Sequence, residues 1–468
     1  MKRAVKHDIF SEIKAARYEF VDLMYTDLMG SFHHLTLPSE RFNERLAERG
    51  VGVDGSSVVG FRAVKAGDMV LIPDLDASFR HPFATRPTLC VIGDLVDVNA
   101  RGGFSRDPRF VAKKAEASLA SVRPGESSRW LPELEFYLFD AVDVWGKPGH
   151  AGYRVRSGAV GQASDAADVF EPSCYRKSYH AAAPTDRFSD LRSDMCAMLA
   201  EMGIPVKYHH HEVGPAGQLE IELGFMPLVK AADSVALARW AIRVLARQRG
   251  LVATFLPKPL FGEAGSGLHF HQFLSDGTLS AFYTEEAGGP LSQTGRFYVG
   301  GLLAHGRALS AFANPSTNSY RRLVPGFEAP VRLTYSIANR TAAIRVPGYA
   351  TSPDDMRIEY RPPDATCNSH LCVAAMLMAG LDGIRRQLDP GPPLTKDLFS
   401  LPASELAAIP ALPETLGEAL DALEQDHGFL LEGGVFSEDL LTTWSALKRA
   451  EEREVAERPH PREYELYL

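Results

Sequence analysis

The sequence predicts an α+β protein: a small strand-rich N-terminal domain, then a larger one whose curved antiparallel sheet is wrapped by helices. At 468 residues the chain is too long for one ordinary core. Its first hundred residues alternate apolar and polar side chains in short runs, the period of a half-buried strand. Farther on, acidic residues spaced two apart in apolar runs are interleaved with long amphipathic helices, so polar side chains share strand faces while helices cover the sheet.

After a first helical segment, Tyr18-Glu19-Phe20-Val21-Asp22-Leu23 and His34-Leu35-Thr36-Leu37-Pro38 flank a turn at Gly30 and predict a hairpin. Residues 39–49 have helical periodicity with acidic and basic faces. The pattern changes at Asp107-Pro108, where an N-cap aspartate and a proline at the first helical position open a helix over 108–121. The domain boundary is placed there, giving units 1–106 and 107–468. Segments 187–202, 230–249 and 371–388 read as amphipathic helices. Segment 413–425 reads as a helix with Pro413 in its first turn, and 437–457 as another before a polar tail broken by Pro459 and Pro461. Segment 149–172, rich in small and polar residues, reads as a long loop.

Apolar content of 45% and charged content of 23% are globular values. A formal charge of −9 with no basic stripe argues against nucleic acid as a partner. The first twenty residues are interrupted by Asp8, Glu12 and Lys14 and lack the apolar stretch of a signal peptide; no 18-residue apolar run predicts a membrane span. Cys90, Cys174, Cys196, Cys367 and Cys372 are irregularly placed and do not form structural-zinc pairs, so a reducing cytoplasm is the expectation.

Five glutamates and a histidine form the most informative pattern. Glu133 and Glu135 in LPELEFYLFD share a strand face, about 6.5–7 Å apart, and four apolar or aromatic residues follow at once. A carboxylate in such a run is rarely left without a partner. Glu212 and Glu220 flank Gly214-Pro215-Ala216-Gly217, and a hairpin centred on Ala216 would set them directly opposite each other. His269 lies in GSGLHFH and Glu359 in RIEYR. So many like charges need compensation, and oxygen-rich ligation with one imidazole favours Mg²⁺ or Mn²⁺ over zinc or copper.

The triplet His209-His210-His211 precedes Glu212 directly, which makes at least one inward-facing histidine plausible at a polar pocket. His269 and His271 obey the two-residue rule and follow Gly265-Ser266-Gly267, whose glycines let a loop approach a small ligand. Arg357 and Arg361 bracket Glu359 on the same face; Arg340 and Arg345 lie among small apolar residues, and Arg322 follows Tyr320-Arg321. Guanidinium groups beside carboxylate-held metals are what phosphoryl transfer needs. Gly50-Val51-Gly52-Val53-Asp54-Gly55 matches a dinucleotide-binding pattern, but a helix precedes it and no crossover helix follows. No GxxxxGK[ST] occurs, so ATP would not be held by a P-loop.

Together the stretches 53–61, 131–140, 209–223, 256–271, 314–331, 339–347, 357–364 and 460–468 closely resemble type I glutamine synthetase, across essentially the whole chain. The resemblance implies a β-grasp-like N-terminal domain, and a dodecamer of two hexameric rings whose active sites are shared between neighbouring subunits. It implies Glu135, Glu212 and Glu220 as ligands of one metal, and Glu133, His269 and Glu359 as ligands of a second that bridges the ATP phosphates. Arg345, with Arg340, would stabilise phosphoryl transfer; Arg322, Arg361 and Gly265 would hold glutamate. Asp54 from the adjacent subunit, with Ser57, Tyr179 and Glu212, would bind and deprotonate ammonium, and Glu328 would close the site. Phe225, His271, Arg340 and Arg357 fall on the nucleotide side.

There are departures from the family pattern. Ala264 replaces an asparagine; Lys207, Phe273 and Asp354 replace glutamate, serine and lysine near the nucleotide; Ser178 and His180 flank Tyr179 in place of glycine and phenylalanine. Phe399 occupies the position of the tyrosine that is adenylylated in many bacterial members, which removes the hydroxyl to be modified. The reading is ligation of ammonia to glutamate; a γ-glutamyl-amide synthetase using methylamine, ethanolamine or a polyamine, and a catalytically silent relative, are the alternatives.

Overall fold

Capping and turn chemistry set where the elements begin and end. The computed structural model describes residues 8–62, 67–98, 102–159, 178–285, 291–327, 329–396, 398 and 401–468. Near the N-terminus, β1 (Phe20–Thr26), β2 (Phe32–Pro38), β3 (Val51–Asp54), β4 (Asp68–Arg80) and β5 (Thr88–Asp97) form one sheet in the order β2-β1-β5-β4-β3. The predicted hairpin is β1–β2. Its turn is closed by Asp27, whose carbonyl accepts from Gly30 N and whose carboxylate accepts from Ser31 N at 2.8 Å, with Gly30 at φ +82°.

The helix predicted over 39–49 is broken. A 3₁₀ turn, Ser39–Arg41, is followed by extended Phe42, whose ring is buried, and Asn43 caps a new helix, Glu44–Arg49, by accepting from Leu46 N. Burying Phe42 outweighs continuing the helical period.

The second sheet has eight strands: β6 (Ser127–Phe139), β9 (Val206–His211), β10 (Gln218–Leu223), β11 (Val252–Thr254), β12 (Leu268–Ser275), β13 (Tyr335–Ile337), β14 (Ile344–Val346) and β15 (Ile358–Tyr360). Their order is β13-β14-β15-β12-β6-β10-β9, with β11 also on β6. The even-numbered β6 side chains Trp130, Leu134, Phe136 and Leu138 enter the main core, which also holds Ala112 and Ala115 of helix Pro108–Val122, Val235 and Ala238 of helix Leu228–Gln248, and Val373 and Leu377 of helix Ser369–Arg386. Glu133 and Glu135 have the opposite parity and point away from that core.

Asp107 caps helix Pro108–Val122 by accepting from Arg109 N, with Pro108 in the first turn, as predicted. The Arg109 guanidinium then bridges both parts of the chain: it pairs with Asp74 and Asp94 from the first sheet and with Asp233, which also accepts from or pairs with His370 at 2.8 Å.

Three further expectations are corrected. The helix predicted from Pro413 starts instead at Leu416, because Thr415 provides the cap by accepting from Glu418 N. The tail does not break at Pro461; it forms helix Pro461–Tyr467, since a proline at the first position has no helical N–H to lose and His460 with Glu463 completes a capping box. Segment 149–172 is not all loop: β7 (Ala141–Lys147) and β8 (His150–Arg156) form a hairpin that turns at Gly149, φ +72°, while 160–172 lies outside the described residues. That hairpin is largely exposed on both faces, and only the four residues Tyr153-Arg154-Val155-Arg156 of the segment alternate apolar and polar, too short a run to stand out among its small and polar neighbours. Among the described residues no helix is long and apolar enough to cross a membrane.

Candidate active site

Strand register lines up the acidic side chains. Arg345 on β14 pairs with Glu359 on β15, and Glu359 with His271 on β12. His269 on β12 pairs with Glu133 on β6; Glu135 on β6 pairs with Glu220 on β10, and Glu220 with His210 on β9. The turn is centred on Pro215 and not on Ala216, which moves the expected pairing by two residues. Gln218 N donates to the Gly214 carbonyl and Gly214 N to Gln218 Oε1 inside the turn, and Glu212 N donates to the Gln218 carbonyl; Glu212 thus stands opposite Gln218, and His210 faces Glu220. Glu212 still reaches the same cavity, because it follows His210 by two residues.

That cavity is lined by Glu133, Glu135, Glu212, Glu220, His269 and Glu359, by Arg322, Arg340, Arg345 and Arg361, and by Tyr179 and Gly265. His271, Arg357 and Phe225 lie behind its wall: His271 Nε2 is 2.8 Å from Glu133, and the Arg357 guanidinium is 3.3 Å from His271 Nδ1 and 5.7 Å from the Phe225 ring centroid. Asp54 and Ser57 do not line it; the Asp54 carboxylate accepts from Ser56 N, Ser56 Oγ and Ser57 Oγ on the surface. Glu328 and Phe399 lie outside the described residues.

The carboxylates divide into two kinds. Burial opposes ionisation of Glu133, yet the imidazoles of His271 and His269, the latter at 3.0 Å, hold its carboxyl well below the usual range. Burial and the Glu133 charge likewise oppose ionisation of Glu359, but the Arg361 guanidinium bonded to it and the imidazoles of His271 and His269 outweigh them and hold it at about 2; Arg345 bonds to it as well. Glu212 and Glu220 are pushed well above the usual range, first by burial and then by neighbouring carboxylates. Glu135 accepts from Gly267 N at 2.8 Å and from Gln218 Nε2 at 3.3 Å.

A set of buried, mutually repelling carboxylate oxygens with imidazole at the edge fits a hard divalent cation. Among the described residues, Glu133/His271/Glu359 and His210/Glu212/Glu220 each bring three donor atoms within 4.8 Å of one another. Relative to the sets implied by the resemblance, His271 stands where His269 was expected and His210 where Glu135 was. His269 sits between the groups, with Nδ1 3.7 Å from Glu359 and Nε2 3.7 Å from Glu135.

A third grouping, Asp22/His81/Cys90 in the first sheet, is unsuited to a metal. His81 Nδ1 accepts from Phe83 N and Ala84 N, so a neutral ring carries its proton on Nε2 and has no lone pair left to offer there.

Arg322 is buried and donates to the carbonyls of Pro362, Pro363 and Arg361 and to His269 Nε2. This fixes its ring of donors against the loop where Gly265 has no room for a side chain: an added Cβ would come within 2.6 Å of the Pro257 carbonyl. Among the departures, Ala264 lines the cavity, and its carbonyl accepts from Tyr137 Oη at 2.8 Å. Lys207 pairs with buried Glu222 at 2.7 Å; Phe273 packs edge-on against Phe225, with centroids 5.0 Å apart. His180, at φ +57°, stacks on Tyr179 at 4.0 Å.

Tyr208, Gln218, Phe327 and Tyr349 also line the cavity, and the sequence reading missed them. Strand parity offered a signal for two: Tyr208 shares a face with His210, and Gln218 with Glu220. Tyr349, whose ring lies 5.7 Å from the Arg345 guanidinium and 5.4 Å from that of Arg357, is in a loop without any period.

Residues 105–467 match the family described as glutamine synthetase, catalytic domain, and residues 17–98 match glutamine synthetase, beta-Grasp domain. The chain is 44% identical over 465 residues to a glutamine synthetase of Frankia alni, covering 98% of each. It is 42% identical over 475 residues to one of Mycolicibacterium smegmatis, covering 100% of this chain and 99% of that one. Among solved structures, Plasmodium falciparum glutamine synthetase is similar with a TM-score of 0.90 at 25% identity, covering 100% of both chains. A GmaS/ADP complex is similar with a TM-score of 0.81 at 28% identity, covering 98% of this chain and 99% of that one.

Proposed function

The chain belongs to the glutamine synthetase family, and from that premise we propose how its residues carry out the ATP-dependent ligation of ammonia to the side-chain carboxylate of L-glutamate. The carboxylate alone is a poor electrophile. In the first step one of its oxygens bonds to the γ-phosphorus of ATP as the bond to the β-phosphate oxygen breaks, giving ADP and γ-glutamyl phosphate. In the second, ammonia attacks the acyl carbon, phosphate leaves, and the nitrogen gives up a proton to yield glutamine.

The observation that carries this reading is the convergence of Glu133, Glu135, Glu212, Glu220 and Glu359 with Arg322, Arg340, Arg345 and Arg361 around one cavity. Glu135, Glu212 and Glu220 would hold one divalent cation, with His210 in reach; Glu133, His269 and Glu359 would hold the other, with His271 in reach. Mg²⁺ or Mn²⁺ bound there would neutralise the carboxylates and polarise the γ-phosphoryl group. Arg345 and Arg340 stabilise charge on the transferred group, while Arg322, Arg361 and the Gly265 backbone orient glutamate. Phe225 stacks on adenine, and His271 and Arg357 border the nucleotide.

Tyr179 and Glu212 with Asp54 receive ammonium, Ser57 orients Asp54, and Glu328 excludes water from the acyl phosphate. Asp54 and Ser57 stand outside their own chain's cavity, which supports an assembly in which a neighbouring copy presents them. We assign that assembly as two stacked hexameric rings in the cytoplasm. The test is coupled measurement of glutamine and phosphate from glutamate, ATP and ammonium with Mg²⁺ or Mn²⁺. Equal, ammonium-dependent yields are expected; phosphate without glutamine, or no turnover, would refute the reading.

A further inference from the structure

Two loops that wall the cavity meet at one lysine. Lys258 N donates to Asn318 Oδ1 at 2.7 Å, and the Lys258 carbonyl accepts from Asn318 Nδ2 at 3.1 Å, so its backbone is pinned to the residue preceding helix Ser319–Arg322. Its half-buried ammonium donates to the Glu263 carbonyl and stands 3.5 Å from the centroid of the Phe327 ring. Gly326 and Phe327 of one loop and Ala264 and Gly265 of the other line the cavity, as does Arg322. Lys258 itself does not line the cavity; it touches the two segments that do.

We propose that Lys258 is a positioning residue whose ammonium clasps the 323–327 loop to the 256–267 loop and so fixes the wall on which the amino-acid substrate binds, an inference that rests on the reading of Arg322 and Gly265 as glutamate-binding. A cation over a ring face is held by the ring's quadrupole, and the contact strengthens when water is excluded. An uncharged side chain of equal length would keep the packing and lose the clasp.

The charge is also near its limit. Burial pushes the ammonium down to about 8, opposed by Glu263 on its own segment and reinforced by Arg322 from the neighbouring helix; its other contacts, Phe327 and Asn318, are uncharged. The clasp therefore weakens in mildly alkaline solution, whereas an arginine would keep it.

The test uses the assembled enzyme and its Lys258→Met and Lys258→Arg variants, with two readouts. Without substrates, amide hydrogen exchange over 256–267 and 323–327 is expected to accelerate in Lys258→Met and to stay near wild type in Lys258→Arg. In turnover, Lys258→Met is expected to raise KM for glutamate about tenfold with KM for ATP unchanged. Wild-type KM for glutamate should climb above about pH 8, and that of Lys258→Arg should stay flat. Unchanged exchange in Lys258→Met, a parallel rise in both KM values, or failure of arginine to rescue would each overturn the proposal. A wild-type enzyme without glutamate turnover would overturn the family-based reading, and hydrogen exchange would still decide the clasp.

Discussion

Glu220 stands directly opposite Glu135 across β6 and β10, and both carboxylates line one cavity with Glu212. Without a cation this is a repulsive arrangement: burial and its acidic neighbours push Glu220 well above the usual carboxylate range. Removing one charge should therefore relieve the metal-free protein while destroying its affinity for metal. Glu220→Gln is expected to melt higher than wild type in EDTA and to lose most of the Mn²⁺-induced rise in Tm. In wild type that rise corresponds to about 2.7 kcal/mol at a hundredfold excess over Kd. Differential scanning calorimetry with and without Mn²⁺ checks both signs, and a Glu220→Gln protein less stable in EDTA would contradict the repulsion.

Glu359 plays the opposite electrostatic part, because it is the shared counter-ion of two buried guanidinium groups, Arg345 and Arg361. Glu359→Ala should abolish turnover by removing a metal-side carboxylate. It should also cost about 3–5 kcal/mol of stability by leaving uncompensated buried cations. Glu359→Gln keeps the shape and lessens the packing loss, so activity near wild type in either variant would show that Glu359 is misassigned.

How much of this was legible in the sequence follows from how local each cause is. Glu133 with Glu135, and His269 with His271, could be paired on one face because parity inside a strand depends on nothing beyond the strand. The strand opposite is less secure: Glu212 and Glu220 were set face to face, but the turn is centred on Pro215, with Glu212 N bonded to the Gln218 carbonyl, which moves the pairing by two residues. The end of the helix at Arg41 was hidden because burial of Phe42 is a tertiary effect. Lys258 and Phe327 sit in loops, where no period exists, so their contact has no sequence signature.

Asp54 is exposed and does not line its own chain's cavity, whereas Glu359 does. If active sites are completed by neighbouring subunits, two inactive variants should complement each other. Asp54→Ala and Glu359→Ala, each nearly silent alone, are expected to regain activity when co-assembled. For a random one-to-one mixture, about a quarter of sites would be intact. Activity of the mixture no greater than the mean of the separate variants would place Asp54 outside the shared site. By itself, Asp54→Ala should raise KM for ammonium more than KM for ATP.

His305, at the junction of helices Gln293–Ala304 and Gly306–Ala313, reaches two carboxylates: its Nε2 lies 2.9 Å from Asp382 and its Nδ1 2.8 Å from Asp426, with the ring stacked 4.0 Å from Phe429. Burial disfavours the charged ring, but the two carboxylates outweigh it and raise its pKa above the usual value. A histidine raised in the folded state contributes stability that is fully present below its unfolded pKa of about 6.5, and that is lost as pH rises through the higher folded value. Stability of wild type relative to His305→Gln should thus be greatest at and below about pH 6 and narrow as pH increases. Thermal melts of both proteins across that range, in EDTA and constant salt, measure the difference directly. A gap that widens with pH would mean the ring is neutral in the fold, with Asp382 satisfied instead by Arg386 at 3.1 Å.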